Sequence, residues 1–281
     1  MKVAFWSNAK GGVGVTSNLA CISVASVLEY SHKAILFENH CQKNRLENIL
    51  RYHSSNYHLC EETNYKIGEI GLGQVIEEAY KVYEEASKVS TKVTNVIKKA
   101  SIEILDNSLY YIPPGNITNT RTFDFDLYDK IKPILEVFET FADITYIDTS
   151  KNNLSSKIVL DEVDLVVVNM VQNNSMIQNF FDNYSSILHK CVFIISNYRK
   201  KAKLNINKIS KTHLIEQSSI ATIPYNVEYQ DAVTHGNIVE FLTRNYSCKR
   251  NHPNYNFIKE VKRAVEMIMR NIELNHKEEC L

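Results

Sequence analysis

Residues 9–18 read AKGGVGVTSN and combine several features that bind anions. Gly11, Gly12 and Gly14 let the backbone curl until successive N–H groups converge on one point. The apolar spacing that follows, Leu19, Ile22, Val24, Val27 and Leu28, predicts a helix whose positive N-terminal end faces the same point. Thr16 places a hydroxyl where a phosphate-bound Mg2+ takes a ligand. Because the stretch follows a β-rich run, KVAFWS, it predicts a phosphate-binding loop rather than a plain tight turn. The general pattern G-x-x-x-x-G-K-[ST] fails twice, at Ala9 and at Val15, and Val15 stands where the lysine belongs. Asp148 is the second chemical group. It follows ITYI at the carboxyl end of a strand of the buried type, where α/β sheets place their ligand sites. A carboxylate there can hold the water shell of Mg2+; capping a following helix is its ordinary structural role.

These groups need a sheet to carry them. KVAFWS, KAILFE, SLYYIPPGN, ADITYIDTS, VDLVVVNMV, CVFIISN and SIATIPYN read as strands. Between them, TSNLACISVASVLEY, FDLYDKIKPILEVFETF, NSMIQNFFDNYSSILHK and KLNINKISKTH read as helices, with Pro133 near a bend or a start. A loop and a helix are expected over HCQKNRLENILRYH, and one or two amphipathic helices between residue 71 and residue 100. The last helix is expected at about 256–274. Strands alternating with helices imply an α/β fold: a doubly wound, mostly parallel sheet with helices on both faces. No repeat or Gly/Ser linker divides residues 1–281, so a single domain is expected. Residues 52–68 read as a polar, exposed connection, and 52–100 carry no functional signal.

Composition sets outer bounds. Hydrophobic residues make up 44% of 281, enough for a proper core. Lys plus Arg and Asp plus Glu number 32 each, which argues against a dedicated nucleic-acid binder. The six cysteines form no CxxC pair, so zinc-ribbon and iron–sulfur sites find no support and reduced thiols are expected. No stretch has the length of a signal peptide or a membrane span, so a cytoplasmic protein is expected.

Several stretches, taken in order from residue 2 to about 245, resemble the ParA/MinD family of P-loop ATPases. Lys10-Gly11-Gly12-Val13-Gly14 resembles that family's deviant Walker A motif. Glu38-Asn39-His40-Cys41-Gln42-Lys43-Asn44 resembles its D-x-D-P-Q-x-N strand end. ADITYIDTS resembles its Walker B strand, with Asp148 at the acidic position. VFIISNYRK places Asn197 where the family's adenine-contacting Asn stands, and IATIPYN places Pro224 in the segment that borders the base.

The resemblance implies ATP or ADP with Mg2+, held by residues 10–17 (Lys10, Gly11, Gly12, Val13, Gly14, Val15, Thr16 and Ser17) together with Asn197 and Pro224. Thr16 and Asp148 would serve the metal, with Glu38 acting through water. It also implies an ATP-sandwich homodimer in which Lys10 reaches the partner's phosphates. The departures bear on chemistry. Val15 loses a charge-assisted hydrogen bond worth roughly 1.5–3 kcal/mol, about one to two decades of affinity, so nucleotide binding survives. His40 replaces the family's water-orienting carboxylate. A neutral imidazole accepts a proton, so His40 is the candidate catalytic base, but with both positions altered weak or absent hydrolysis is expected.

Degenerate loops recur in the TadZ/CpaE branch, which helps localise the Tad/Flp pilus secretion machine. A scaffold positioning such an assembly, at the inner face of the membrane and beside a secretion ATPase, is the expected role. The alternatives are an active DNA- or plasmid-positioning ATPase, drawing on Arg199, Lys200, Lys201, Lys203, Lys208 and Lys211, and an interaction protein without nucleotide. Those basic residues read first as a solvated loop. The final helix aligns Phe257, Ile258, Val261, Val265, Ile268 and Ile272, while Glu260, Glu266 and Glu273 dilute its positive charge. Packing against the sheet or a partner is therefore expected, in preference to a membrane surface.

Overall fold

A computed structural model describes residues 1–41, 45–50, 71–73, 75–76, 89–115, 119–151 and 153–279. The chain begins with β1 (Lys2–Trp6), α1 (Val15–Tyr30), β2 (Ala34–Asn39) and α2 (Arg45–Leu50). It continues through α3 (Val89–Ala100), β3 (Ile102–Leu105), β4 (Leu109–Ile112), α4 (Thr120–Tyr128), α5 (Ile131–Glu139) and β5 (Ile144–Thr149). Next come α6 (Leu154–Glu162), β6 (Leu165–Met170), α7 (Asn174–Asn183), β7 (Cys191–Tyr198), α8 (Ile206–His213) and β8 (Ile220–Pro224). Three helices end the chain: α9 (Val227–His235), α10 (Ile238–Asn245) and α11 (Tyr255–Glu279).

The eight strands form one sheet in the order β3-β4-β2-β5-β1-β6-β7-β8. All neighbours are parallel except β3 and β4. Parallel strands covered on both faces read as unbroken apolar runs, and β2, β5 and β6 are buried along their whole length. Alternate residues feed two cores. Val3, Phe5, Leu36, Tyr146 and Val167 pack under α1, α2, α9, α10 and α11. Ala4, Trp6, Ile35, Phe37, Ile147 and Val168 pack under α3 to α8.

That alternation positions the acids. Glu38 and Asp148 are in step with Leu36 and Tyr146, so both fall on the α1 side. The parallel register pairs Glu38 with Asp148, and Asp148 with Phe5 of the central strand. The loops after β1, β2 and β5 therefore meet at one end of the sheet.

The structure refines several sequence expectations. Residues 120–139 form two helices rather than one, and Pro133 sits in the first turn of α5, where a missing N–H costs nothing. The helix expected over 174–190 ends at Asn183 and resumes as a 3-10 segment, Ser185–Lys190. The antiparallel edge strand β3 and the helices α9 and α10 were not assigned from sequence. The last helix runs past 274 to Glu279, and its apolar stripe is buried against α1, β6, β7 and β8. The expectations for 52–68 and for the motif residues 42–44 fall outside the described residues. Among the described residues, no helix is long and apolar enough to cross a membrane. Among the described residues, Cys21, Cys41, Cys191 and Cys248 are free thiols.

Candidate functional site

The loop between β1 and α1 is a wide backbone curl. Gly11, Gly12 and Gly14 all have positive φ, +144°, +74° and +80°, where a side chain would be strained. A Cβ on Gly11 or Gly12 would meet nothing within 4 Å, because both face open space. A Cβ on Gly14 would lie 3.3 Å from Ser17 Oγ and 3.4 Å from Ser196 Oγ. Gly14 is the N-cap of α1 and no side chain caps it, so the first N–H groups of the helix are open to an anion.

Buried amides and hydroxyls hold the curl from behind. Ser196 Oγ donates to the Val13 carbonyl at 2.7 Å. Asn18 Nδ2 donates to Asn169 Oδ1 and to Ser196 Oγ, each at 2.8 Å. On the other side, Asn8 Nδ2 donates to the Met176 carbonyl at 2.9 Å and to Asn179 Oδ1 at 3.1 Å, fixing the loop to α7. Buried polar groups paired in this way set one conformation, because an unpaired one would cost about 1–3 kcal/mol.

Beside the loop lies a compact ionisable cluster. Glu38, His40 and Asp148 are all buried, and one ligand atom from each lies within 4.8 Å of the others. His40 Nε2 stands 3.4 Å from Asp148 Oδ2, which is buried and makes no hydrogen bond. The Glu38 carboxylate accepts from the Tyr111 hydroxyl and from the Leu46 backbone N–H, so it also anchors the start of α2. Burial pushes the Glu38 carboxyl up to about 7; the His40 ring and the Tyr111 hydroxyl oppose that rise, and the Asp148 carboxylate adds to it.

The loop, His40 and Asp148 border one cavity of about 560 Å3, within the usual range for small-molecule sites. Lys10, Gly12, Thr16, His40, Asp148 and Lys151 are among its lining residues. Val15 lines it too, half-buried, and also packs on the core beneath α1. Lys10 is exposed. Lys151 extends from the loop after β5 and donates to the Asn8 carbonyl at 2.6 Å. The site thus combines convergent amides, two lysines, a hydroxyl and a carboxylate oxygen without a hydrogen bond. That donor set fits a phosphate chain with a divalent ion.

No protein-family model matches the sequence, and no curated protein matches it. Solved structures do match. A ParA family ATPase from Chlorobium tepidum TLS superposes with a TM-score of 0.67 at 12% identity, over 94% of this chain and 98% of that one. The septum site-determining protein MinD from Pyrococcus horikoshii OT3, complexed with Mg-ADP, gives 0.66 at 14% identity, over 98% and 99%. A candidate plasmid partition protein from Borrelia burgdorferi B31, bound to AMPPNP, gives 0.61 at 16% identity, over 96% and 98%. The chain has the ParA/MinD fold.

Within this ParA/MinD fold, the expected residues divide into two groups. Lys10 to Ser17, His40 and Asp148 surround the same cavity. Glu38 sits in the ionisable cluster and is not among the lining residues. Asn197 is exposed at a bulge of β7 with φ of 50°, a conformation Asn tolerates, and it is not among the lining residues either. Pro224, at the end of β8, lines a different cavity with Tyr198, Lys200, Thr222, Lys259 and Arg263. Sequence reading passed over Lys151, Asn18, Asn169 and Ser196. A lone Asn within VVVNMV was the available signal for Asn169: a polar residue inside an apolar strand must find a partner. Lys151 gave none.

Proposed function

We propose that this chain is an ATP-binding, ParA/MinD-like dimeric scaffold with weak or absent hydrolysis. One observation carries the reading: an uncapped helix N-terminus behind a glycine curl, sharing its cavity with Asp148. The presence of Mg-ADP and AMPPNP in structures of the same fold supports it.

In this reading the loop amides hold the phosphates by hydrogen bonds, and Lys10 and Lys151 supply the positive charge that Val15 does not. Thr16 and Asp148 would hold Mg2+, which when bound neutralises charge on the phosphates. His40 is a poor water-orienting group because its Nε2 already faces Asp148 at 3.4 Å. The exposed position of Lys10 suits contact with a second copy across the nucleotide. Calorimetry with Mg-ATP beside a phosphate-release assay tests the reading: binding with little turnover supports it.

The narrower proposal, a cytoplasmic positioning role for a Tad/Flp pilus assembly, rests on the degenerate loop and is tested by pull-down with a pilus secretion ATPase. One observation favours a second reading, DNA positioning: Arg199, Lys200, Lys201, Lys203, Lys208 and Lys211 are all exposed. DNA binding with a steep salt dependence, and turnover stimulated by DNA, would select it.

A further inference from the structure

We propose that Glu38, His40 and Asp148 form a site for a divalent transition-metal ion of the zinc class, open on one side to the phosphate-loop cavity. Each residue offers one donor atom, and the three lie within 4.8 Å of one another. Bonds of roughly 2.1 Å to a tetrahedral ion place neighbouring donors about 3.4 Å apart. His40 Nε2 and Asp148 Oδ2 already stand at 3.4 Å.

Asp148 Oδ2 is the independent pointer to a ligand. It is buried, makes no hydrogen bond and belongs to a residue only 2% exposed. A carboxylate oxygen in that state lacks the hydrogen bond that buried polar groups ordinarily have, and its one neighbouring partner is the His40 ring of the same cluster. A cation between Asp148, His40 and Glu38 supplies it and offsets the repulsion of two buried acids.

The surroundings are those of ligating groups. The Glu38 carboxylate is oriented by the Tyr111 hydroxyl and the Leu46 N–H, as outer partners orient metal-bound carboxylates, and its oxygens keep further lone pairs for an ion. Imidazole with two carboxylates suits zinc, iron or cobalt, whereas Mg2+ prefers oxygen and keeps its waters. Three protein donors leave one position for water or a phosphate oxygen. His40 and Asp148 line the cavity and Glu38 does not, so that position faces the cavity. The site does not depend on nucleotide binding: it engages the carboxylate that the nucleotide reading gives to Mg2+, and it is tested without nucleotide.

The metal-stripped full-length protein is titrated with Co2+ and followed by visible absorption. The expected result is a single Co2+ per chain with the weak bands of a nitrogen–oxygen site, displaced by Zn2+ and retained in a roughly thousand-fold excess of Mg2+. His40→Gln should weaken binding roughly 100-fold or more, and Cys41→Ser should leave it unchanged. No binding at micromolar Co2+, displacement by equimolar Mg2+, an intense thiolate charge-transfer band, or unchanged affinity in His40→Gln would each overturn the proposal. Should His40→Gln not fold, X-ray absorption of the zinc-loaded natural protein decides. A shell of nitrogen and oxygen with imidazole scattering supports the site, and a sulfur shell refutes it.

Discussion

Val15→Lys places a cation in the glycine curl, at the position where the proposed phosphate loop departs from the general pattern, and the structure sets its effect. Val15 is the first residue of α1, half-buried, lining the cavity on one side and touching the core on the other. Removing its partly buried methyls costs under about 1 kcal/mol. A lysine stem can cover the same apolar surface while its ammonium turns into the cavity. One new charge-assisted hydrogen bond to a phosphate is worth roughly 1.5–3 kcal/mol. Affinity for Mg-ATP should therefore rise about 10- to 100-fold. Hydrolysis should stay near baseline, because His40 is unchanged. Isothermal titration of both proteins with Mg-ATP and Mg-ADP, with phosphate release in parallel, measures this. Equal dissociation constants in a folded variant would refute the reasoning, since the cavity would then not place phosphate against this turn.

Gly14→Ala forces a side chain onto φ of +80° with its Cβ 3.3 Å from Ser17 Oγ. The strain should cost about 1–2 kcal/mol, visible as a lower melting temperature together with loss of nucleotide binding. Ser196→Ala strips the Val13 carbonyl and the Asn18 amide of their shared partner, and urea denaturation should show a loss of about 1–3 kcal/mol. Lys151→Ala should weaken Mg-ATP about tenfold in titration calorimetry without changing the fold. Burial holds the His32 imidazole below its ordinary value, with Asp143 opposing. The unfolded chain then binds more protons just below about pH 6.5, so stability present above that pH is lost as pH falls through the depressed value. Because the raised Glu38 carboxyl acts in the opposite sense over the same range, the His32 contribution is read as a difference: the urea midpoint of the natural protein relative to that of His32→Gln should fall as pH is lowered from about 7 to 5.

The sheet was legible in the sequence because parallel strands buried on both faces leave short apolar, β-branched runs such as VDLVVVNM. The glycine curl after β1 was legible because positive φ at Gly11, Gly12 and Gly14 demands glycine. Edge strand β3 was not, since IEIL carries a half-exposed alternation too short to stand out beside the preceding helix. The polar support of the loop was not either. Asn18 and Ser196 are 178 positions apart, and only the meeting of α1 with β7 makes them partners. His40 and Asp148 could be picked out one by one, but their 3.4 Å contact follows from the β2–β5 register, which no local pattern encodes.

Calorimetric titration of the natural protein with Mg-ATP, Mg-ADP and AMP tests the central claim most directly. The account predicts micromolar binding of the triphosphate and diphosphate and none of AMP, because the loop grips the phosphate chain. Absence of heat for all three up to high-micromolar nucleotide would contradict it and leave the fold without a nucleotide.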